Sequence, residues 1–183
     1  MLTANEILKQ IKLGNIGIDP FDINCLNPNS YNVHLADEII QYDKHIVLDM
    51  KKKDNRYTKK IIPESGLTLY PNTLYIGSIK ETVSSDKFIS AIDGRSSIGR
   101  LGMQVHLTAG FGDIGFSGKY TLEITVVVPL IVYPNFEVAQ VYFEKPDGEV
   151  DFLYHGRYQN QEGPTTSKSF TRTDRYNGYH YNK

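Results

Sequence analysis

The sequence predicts a mainly β protein, an all-β barrel or jelly-roll preceded by one short helix. Three observations carry that expectation. Tyrosine is abundant and β-branched residues crowd the middle of the chain, and both favour strands. Apolar and polar residues alternate with period two in several short runs, with Gly, Pro, Asn and Asp between them. Only one stretch, near the N-terminus, has the spacing of an amphipathic helix. Many short strands between turns then call for a barrel or a double-sheet fold.

Residues 3–13 are that helix. Thr3 and Glu6 have the spacing of a capping box, Ile7, Leu8 and Ile11 share a face, and Gly14 is the stop signal. Ile16 to Asp22 reads as short and extended, broken at Pro20. The turn Asn27-Pro28-Asn29-Ser30 precedes an alternating strand, Tyr31 to Leu35. Asp43 to Lys60 is charged and contains Lys51, Lys52 and Lys53; without glycines beside the lysines it reads as a solvated hairpin or loop. Leu67 to Val83 supplies two strands about Pro71-Asn72, and Phe88 to Ile92 another. Met103, Val105 and Leu107 alternate with Gln104, His106 and Thr108. Tyr120, Leu122, Ile124, Val126 and Val128 alternate with Thr121, Glu123, Thr125 and Val127. Phe136 to Phe143 is the last strand, with Gln140 inside it.

The chain has 183 residues, which suits one domain with a sizeable core. We divide it into a β domain over 1–155 and a tail over 156–183. After Leu153 there is no Val, Ile or Leu, so the tail cannot build a core of its own. Residues 157–167 are expected to close over an anionic ligand. A net charge of −1 gives no global basic signal, so neither a nucleic-acid polymer nor a membrane is an expected partner. The single cysteine, Cys25, excludes an intrachain disulfide and a multi-cysteine metal site. No long apolar span is present, and a cytoplasmic location is expected.

One stretch carries chemistry. Arg95 and Arg100 frame Ser96 and Ser97 among Gly94, Gly99 and Gly102. Glycines admit close backbone approach, and guanidinium forks match phosphate oxygens. Asp113 sits in a glycine-punctuated turn, and Glu123 lies in an otherwise apolar strand. Each has a plainer reading: an interstrand ion pair for the arginines, turn initiation for Asp113, an outward-facing side chain for Glu123. His106 reads as a hydrogen-bonded structural residue and is left out of the site. No His/Asp partnership makes Ser96 or Ser97 a nucleophile.

The blocks Gly94–Gly102, His106–Gly110, Asp113–Gly118, Thr121–Glu123 and Tyr158–Pro164 together resemble the dCTP deaminases of the trimeric dUTPase-like superfamily. Gly17–Asp22 and Asn29-Ser30 extend the likeness towards the N-terminus. The resemblance implies a distorted β-barrel of the dUTPase-like type, a homotrimer with sites between subunits, and Mg2+ bound with the triphosphate. It implies dCTP as substrate, with dUTP and dTTP as further nucleotides the site could admit. Arg95, Ser96, Ser97, Ile98, Gly99 and Arg100 would hold phosphates and the catalytic water. Asp113 would meet the deoxyribose, and Thr121, Leu122 and Glu123 the base. Gln140, Tyr154, Arg157 and Gln161 match nucleotide-contacting positions.

Glu123 would shuttle protons, with Ser96, Arg100 and Ala109 fixing the water. Leu122 and Ile124 would give Glu123 an apolar surround favouring its protonated form. The chain lacks the His-x-Glu and Pro-Cys-x-x-Cys signature of zinc deaminases, so no zinc is expected in the reaction. Three departures from the family pattern stand out: Arg157 in place of lysine, Gly112 in place of a bulkier residue, and a short Val126–Pro129 connection. The expected reaction is dCTP to dUTP and ammonia. The alternative is a bifunctional enzyme continuing to dUMP and diphosphate, to which Thr108–Phe111 is similar. A dUTP pyrophosphatase and a non-catalytic nucleotide-binding regulator are lesser alternatives.

Overall fold

The computed structural model describes residues 1–53 and 55–171. Helix α1 spans Ala4–Lys12. Its inner face buries Ile7 and Gln10, and the main chain of Leu2 anchors it to Phe143 at 2.7 Å. Gly14 ends it with a positive φ of 73°. The expected capping box does not form. Thr3 makes no side-chain cap, because the Glu6 carboxylate accepts from Gln10 at 2.6 Å and pairs with Lys9 at 3.5 Å.

Strands follow in the order β1 (Ile16–Asp19), β2 (Tyr31–His34), β3 (Glu38–Tyr42), β4 (Tyr57–Ile61), β5 (Leu67–Leu69), β6 (Tyr75–Ser78), β7 (Thr82–Ser85) and β8 (Ile89–Gly94). The single turn α2 (Ser96–Gly99) interrupts them. Then come β9 (Met103–Gln104), β10 (Phe111–Gly112), β11 (Ser117–Gly118), β12 (Thr121–Val126), β13 (Leu130–Val132) and β14 (Glu137–Glu144). A 3₁₀ turn, Ile23–Cys25, lies between β1 and β2. All pairings are antiparallel and fall into sheets ordered β1-β7-β11, β10-β8-β14-β2, β4-β3-β6-β12-β9 and β13-β5. These pairings do not close into one hydrogen-bonded ring; the sheets wrap a single core that includes Tyr31, Leu35, Leu122, Ile124 and Phe143.

Segment 67–83 holds three strands rather than two, since β7 follows β6 after a bend. The run from Met103 keeps only two residues in a ladder, and Leu107 is exposed. Val128 is exposed as well, because β12 ends at Val126. The charged segment does form the hairpin: β4 pairs with β3 from Glu38–Ile61 to Tyr42–Tyr57. No helix among the described residues is long and apolar enough to cross a membrane.

Tyr31, Tyr75 and Tyr120 are buried in this framework. Burial pushes Tyr31 and Tyr120 up to about 12 from a usual 10. The Tyr120 hydroxyl meets Ser90 Oγ at 2.6 Å, and it occupies the space where a Cβ on Gly112 would stand. That contact explains why glycine sits there. A raised phenol favours the folded state below the unfolded pKa, and this contribution disappears as pH climbs through the folded value. Denaturant unfolding should therefore show stability falling between pH ~10 and ~12, and Tyr120→Phe should lessen the fall.

Candidate active site

Strand β12 sets the geometry. Its side chains alternate, with Leu122, Ile124 and Val126 buried and Thr121, Glu123 and Thr125 on the other face. Leu122 and Ile124 therefore point away from Glu123, and the apolar surround expected from them is not there. The Glu123 side chain is 25% exposed and its Oε2 lies 3.3 Å from His106 Nδ1. The main-chain N–H of Leu107 donates to the same oxygen at 3.4 Å. His106, 9% exposed at its side chain, belongs beside the candidate acid, contrary to the sequence reading. With Nδ1–H donating to Glu123, Nε2 is an acceptor, and this buried nitrogen has no partner among the described residues.

The tail joins this group. Residues 154–165 run along the segment from Ile114 to Thr121. Tyr154 N–H donates to the Ile114 carbonyl at 2.8 Å and Asn160 N–H to that of Ser117 at 2.7 Å. The Gln159 amide bridges Ser117 N–H and the Gly115 carbonyl. Lys119 N–H donates to the Gln161 carbonyl at 2.9 Å, and Gln161 Nε2 donates back to the Lys119 carbonyl at 2.5 Å. Thr165 N–H reaches Thr121 Oγ1 at 3.3 Å. Gln161 Oε1 is left buried and unpaired among the described residues. Tyr154 stacks edge-on against Phe116 at 6.0 Å. Arg157 donates to the Lys168 carbonyl at 2.5 Å while Lys168 Nζ donates to the Arg157 carbonyl at 2.8 Å, closing a loop. Asp113 is exposed and its main-chain carbonyl begins a turn to Phe116, the plainer role foreseen for it. Residues 172–183 of the tail lie outside the described residues.

The arginine–serine segment forms a second group. Arg95 is the N-cap of α2 and Arg100 its C-cap. Ser96, Ser97, Gly99 and Arg100 are exposed, as is Ala109. Ile98 is buried and anchors the turn, so only its main chain could touch a ligand. The same holds for Leu122, which is 0% exposed. Arg95 Nη1 lies 2.5 Å from Glu137 Oε2, the interstrand ion pair foreseen as the plainer alternative. Gln140 Oε1 accepts from Ser30 Oγ at 3.1 Å.

Among the described residues, the hydrogen bonds of Glu123 and His106 do not include Arg95, Ser96 or Arg100, although a Cβ on Gly94 would stand 3.5 Å from Val105, the neighbour of His106. Two surface depressions, of about 610 and 400 Å³, are lined by neither Glu123 nor Arg95. Nor do convergent carboxylates occur in either group: among the described residues the one triad of His, Cys and acidic ligand atoms, Cys25, His34 and Glu137, meets the second group only where Glu137 pairs with Arg95.

This fold has a solved counterpart. The chain is similar to a solved 2'-deoxycytidine 5'-triphosphate deaminase from Agrobacterium tumefaciens, with a TM-score of 0.63 at 17% identity, covering 79% of this chain and 47% of that one. It thus spans about half the length of that structure. A family profile described as dCTP deaminase-like matches residues 1–146. A protein of Clostridium beijerinckii named "dCTP deaminase, dUMP-forming" is 50% identical over 163 residues, 89% of this chain and 92% of its own. A protein of the same name from Hathewaya histolytica is 46% identical over 170 residues, 93% and 97% of the two chains. The chain belongs to the dCTP deaminase-like family.

The docked tail depends on a close backbone approach. A Cβ on Gly118, whose φ is +152°, would stand 3.0 Å from the main-chain N and O of Gln161. Gly118→Ala should therefore loosen the tail. Limited proteolysis should cut within 155–171 faster than in the parent, with the core fragment left intact.

Proposed function

We propose that the chain deaminates dCTP and continues in the same site to dUMP and diphosphate. The observation that carries the first half is the placement of Glu123, held by His106 on the non-core face of β12. The second half is supported by the names of the two relatives, both dUMP-forming. This favours the bifunctional alternative over release of dUTP.

In the proposed reaction Glu123 accepts a proton from water as its oxygen adds to C4 of the cytosine. The carboxyl passes that proton to the ring nitrogen, then takes the remaining proton from the C4 hydroxyl of the adduct and delivers it to the departing amine. The C4–N bond breaks, ammonia leaves and the C4 carbonyl forms. A second water attacks the α-phosphorus, and the bond to the bridging oxygen breaks to release diphosphate. Positioned proton transfer of this kind contributes roughly 10²–10⁴-fold. His106 orients the carboxylate. Ser96, Arg100 and the main chain at Ala109 fix the water and offset developing charge. Gln161 Oε1 and Thr121 would meet base or sugar, and Asp113 the deoxyribose.

The site is proposed to form between copies, in a homotrimer, with Glu123 of one copy meeting the arginine–serine turn of another. Val127 and Val128, exposed beside Gly102 and next to exposed Leu101, give such copies an apolar surface to cover. Arg95 would exchange Glu137 for phosphate oxygens. Mg2+ would neutralise the triphosphate when bound. Without convergent carboxylates in either group, the residues fit an ion carried by phosphates and water rather than a protein cage.

Incubating the protein with dCTP and Mg2+ should yield one ammonia and one diphosphate per dUMP. Accumulating dUTP would reduce the activity to simple deamination. Turnover of dUTP with no ammonia from dCTP would make it a pyrophosphatase. Glu123→Gln should lower ammonia release by about 10²–10⁴-fold while dCTP still raises the melting temperature. Undiminished turnover would remove Glu123 from the mechanism.

A further inference from the structure

Cys25, His34 and Glu137 are far apart in sequence, 112 residues separating the first from the last. The fold brings them together. The 3₁₀ turn carries Cys25 against β2, and β2 pairs with β14 so that His34 stands opposite Glu137. One ligand atom from each, a thiol sulfur, an imidazole nitrogen and a carboxylate oxygen, lies within 4.8 Å of the other two. Cys25 is 3% exposed.

Each of the two outer ligands is held from behind. Glu81, 1% exposed, places Oε1 2.5 Å from His34 Nδ1 and accepts the His34 main-chain N–H on Oε2 at 3.0 Å. A carboxylate on one imidazole nitrogen is the arrangement that orients metal-binding histidines through the other nitrogen. Glu137 divides its oxygens in a similar way. Oε2 accepts from Asn32 Nδ2 at 3.0 Å and pairs with Arg95, while Oε1 faces the Cys25 sulfur at 4.0 Å.

We propose that Cys25, His34 and Glu137 bind a thiophilic divalent cation, Zn2+, through Sγ, Nε2 and Oε1, with a fourth position left for water. The donor set selects the ion. Thiolate and imidazole suit Zn2+, whereas Mg2+ requires an oxygen shell. Zinc bonds of about 2.0–2.3 Å put tetrahedral ligand atoms roughly 3.5 Å apart, so the three side chains need close by about an ångström. The ion ties the 3₁₀ turn to β2 and β14 and takes no part in proton transfer. Cys25 and His34 have no role in the proposed reaction; Glu137 enters it only as the partner that Arg95 would release to phosphate, and the metal readouts below need no nucleotide turnover.

The test is Co2+ titration of chelator-treated full-length protein. One equivalent should produce a thiolate-to-cobalt charge-transfer band in the near ultraviolet and intense tetrahedral bands in the visible. Zn2+ should displace both and raise the melting temperature. Cys25→Ser should lose the charge-transfer band, its fold checked by circular dichroism without metal. Glu81→Gln should keep the band but weaken Co2+ binding about 10- to 100-fold. A folded parent protein with no thiolate band overturns the proposal, as does a band that survives Cys25→Ser. Equal affinity in folded Glu81→Gln would also count against it.

Discussion

The period-two alternation of β12 is the constraint on which the rest depends. It buries Leu122, Ile124 and Val126 and turns Thr121, Glu123 and Thr125 to the other face. The strand is fixed on both sides, with Glu123 opposite Ile76 on β6 and Val126 opposite Met103 on β9. A slip of one residue would carry a carboxylate into the core and drive Leu122 out of it. The core thus selects the register, and the register places the acid. Burying a leucine side chain is worth about 1.5–3 kcal/mol, and stranding a charged carboxylate would cost more than that.

Around that strand the structure arranges two chemistries on separate supports. The acid, its histidine and the docked tail belong to β12 and the segment before it. The guanidinium and hydroxyl groups belong to the turn α2, which β8 delivers and Ile98 pins to the core. The pairing of Arg95 with Glu137 has a physical consequence. A half-buried arginine left unpaired beside β14 would be costly, so the chain neutralises it internally with Glu137. The tail shows the same economy with polar groups. Gln159 and Gln161 use their amides to satisfy main-chain groups of residues 115–119, so a segment too poor in apolar residues to fold alone becomes ordered on the domain.

Much of this was legible in the sequence, and the limits have physical causes. Strands β12 and β14 announce themselves because one buried face imposes alternation. Leu107 and Val128 alternate just as well, yet they are exposed, since a pattern reports a face and not the existence of a partner. The Thr3–Glu6 spacing fits a cap, but Gln10 and Lys9 offer Glu6 better partners. His106 reads as a hydrogen-bonded residue and is one, but its partner, Glu123, depends on how β9 pairs with β12, across 17 residues. Its position among the polar members of an adjacent alternating run was the available signal. The apolar neighbours of Glu123 misled for the opposite reason, adjacency along a strand being separation across a sheet. No spacing rule could have joined Cys25, His34 and Glu137, which meet only through the β2–β14 pairing.

The central claim is that one catalytic site draws its acid from one copy of the chain and its arginines from another. Subunit complementation tests it most directly. Glu123→Gln and Arg100→Ala proteins, each inactive alone, are mixed, dissociated and reassembled, and ammonia release from dCTP is measured. The account predicts that mixed assemblies recover activity, because some sites then hold both an intact Glu123 and an intact Arg100. Mixed assemblies that form and remain inactive would contradict it.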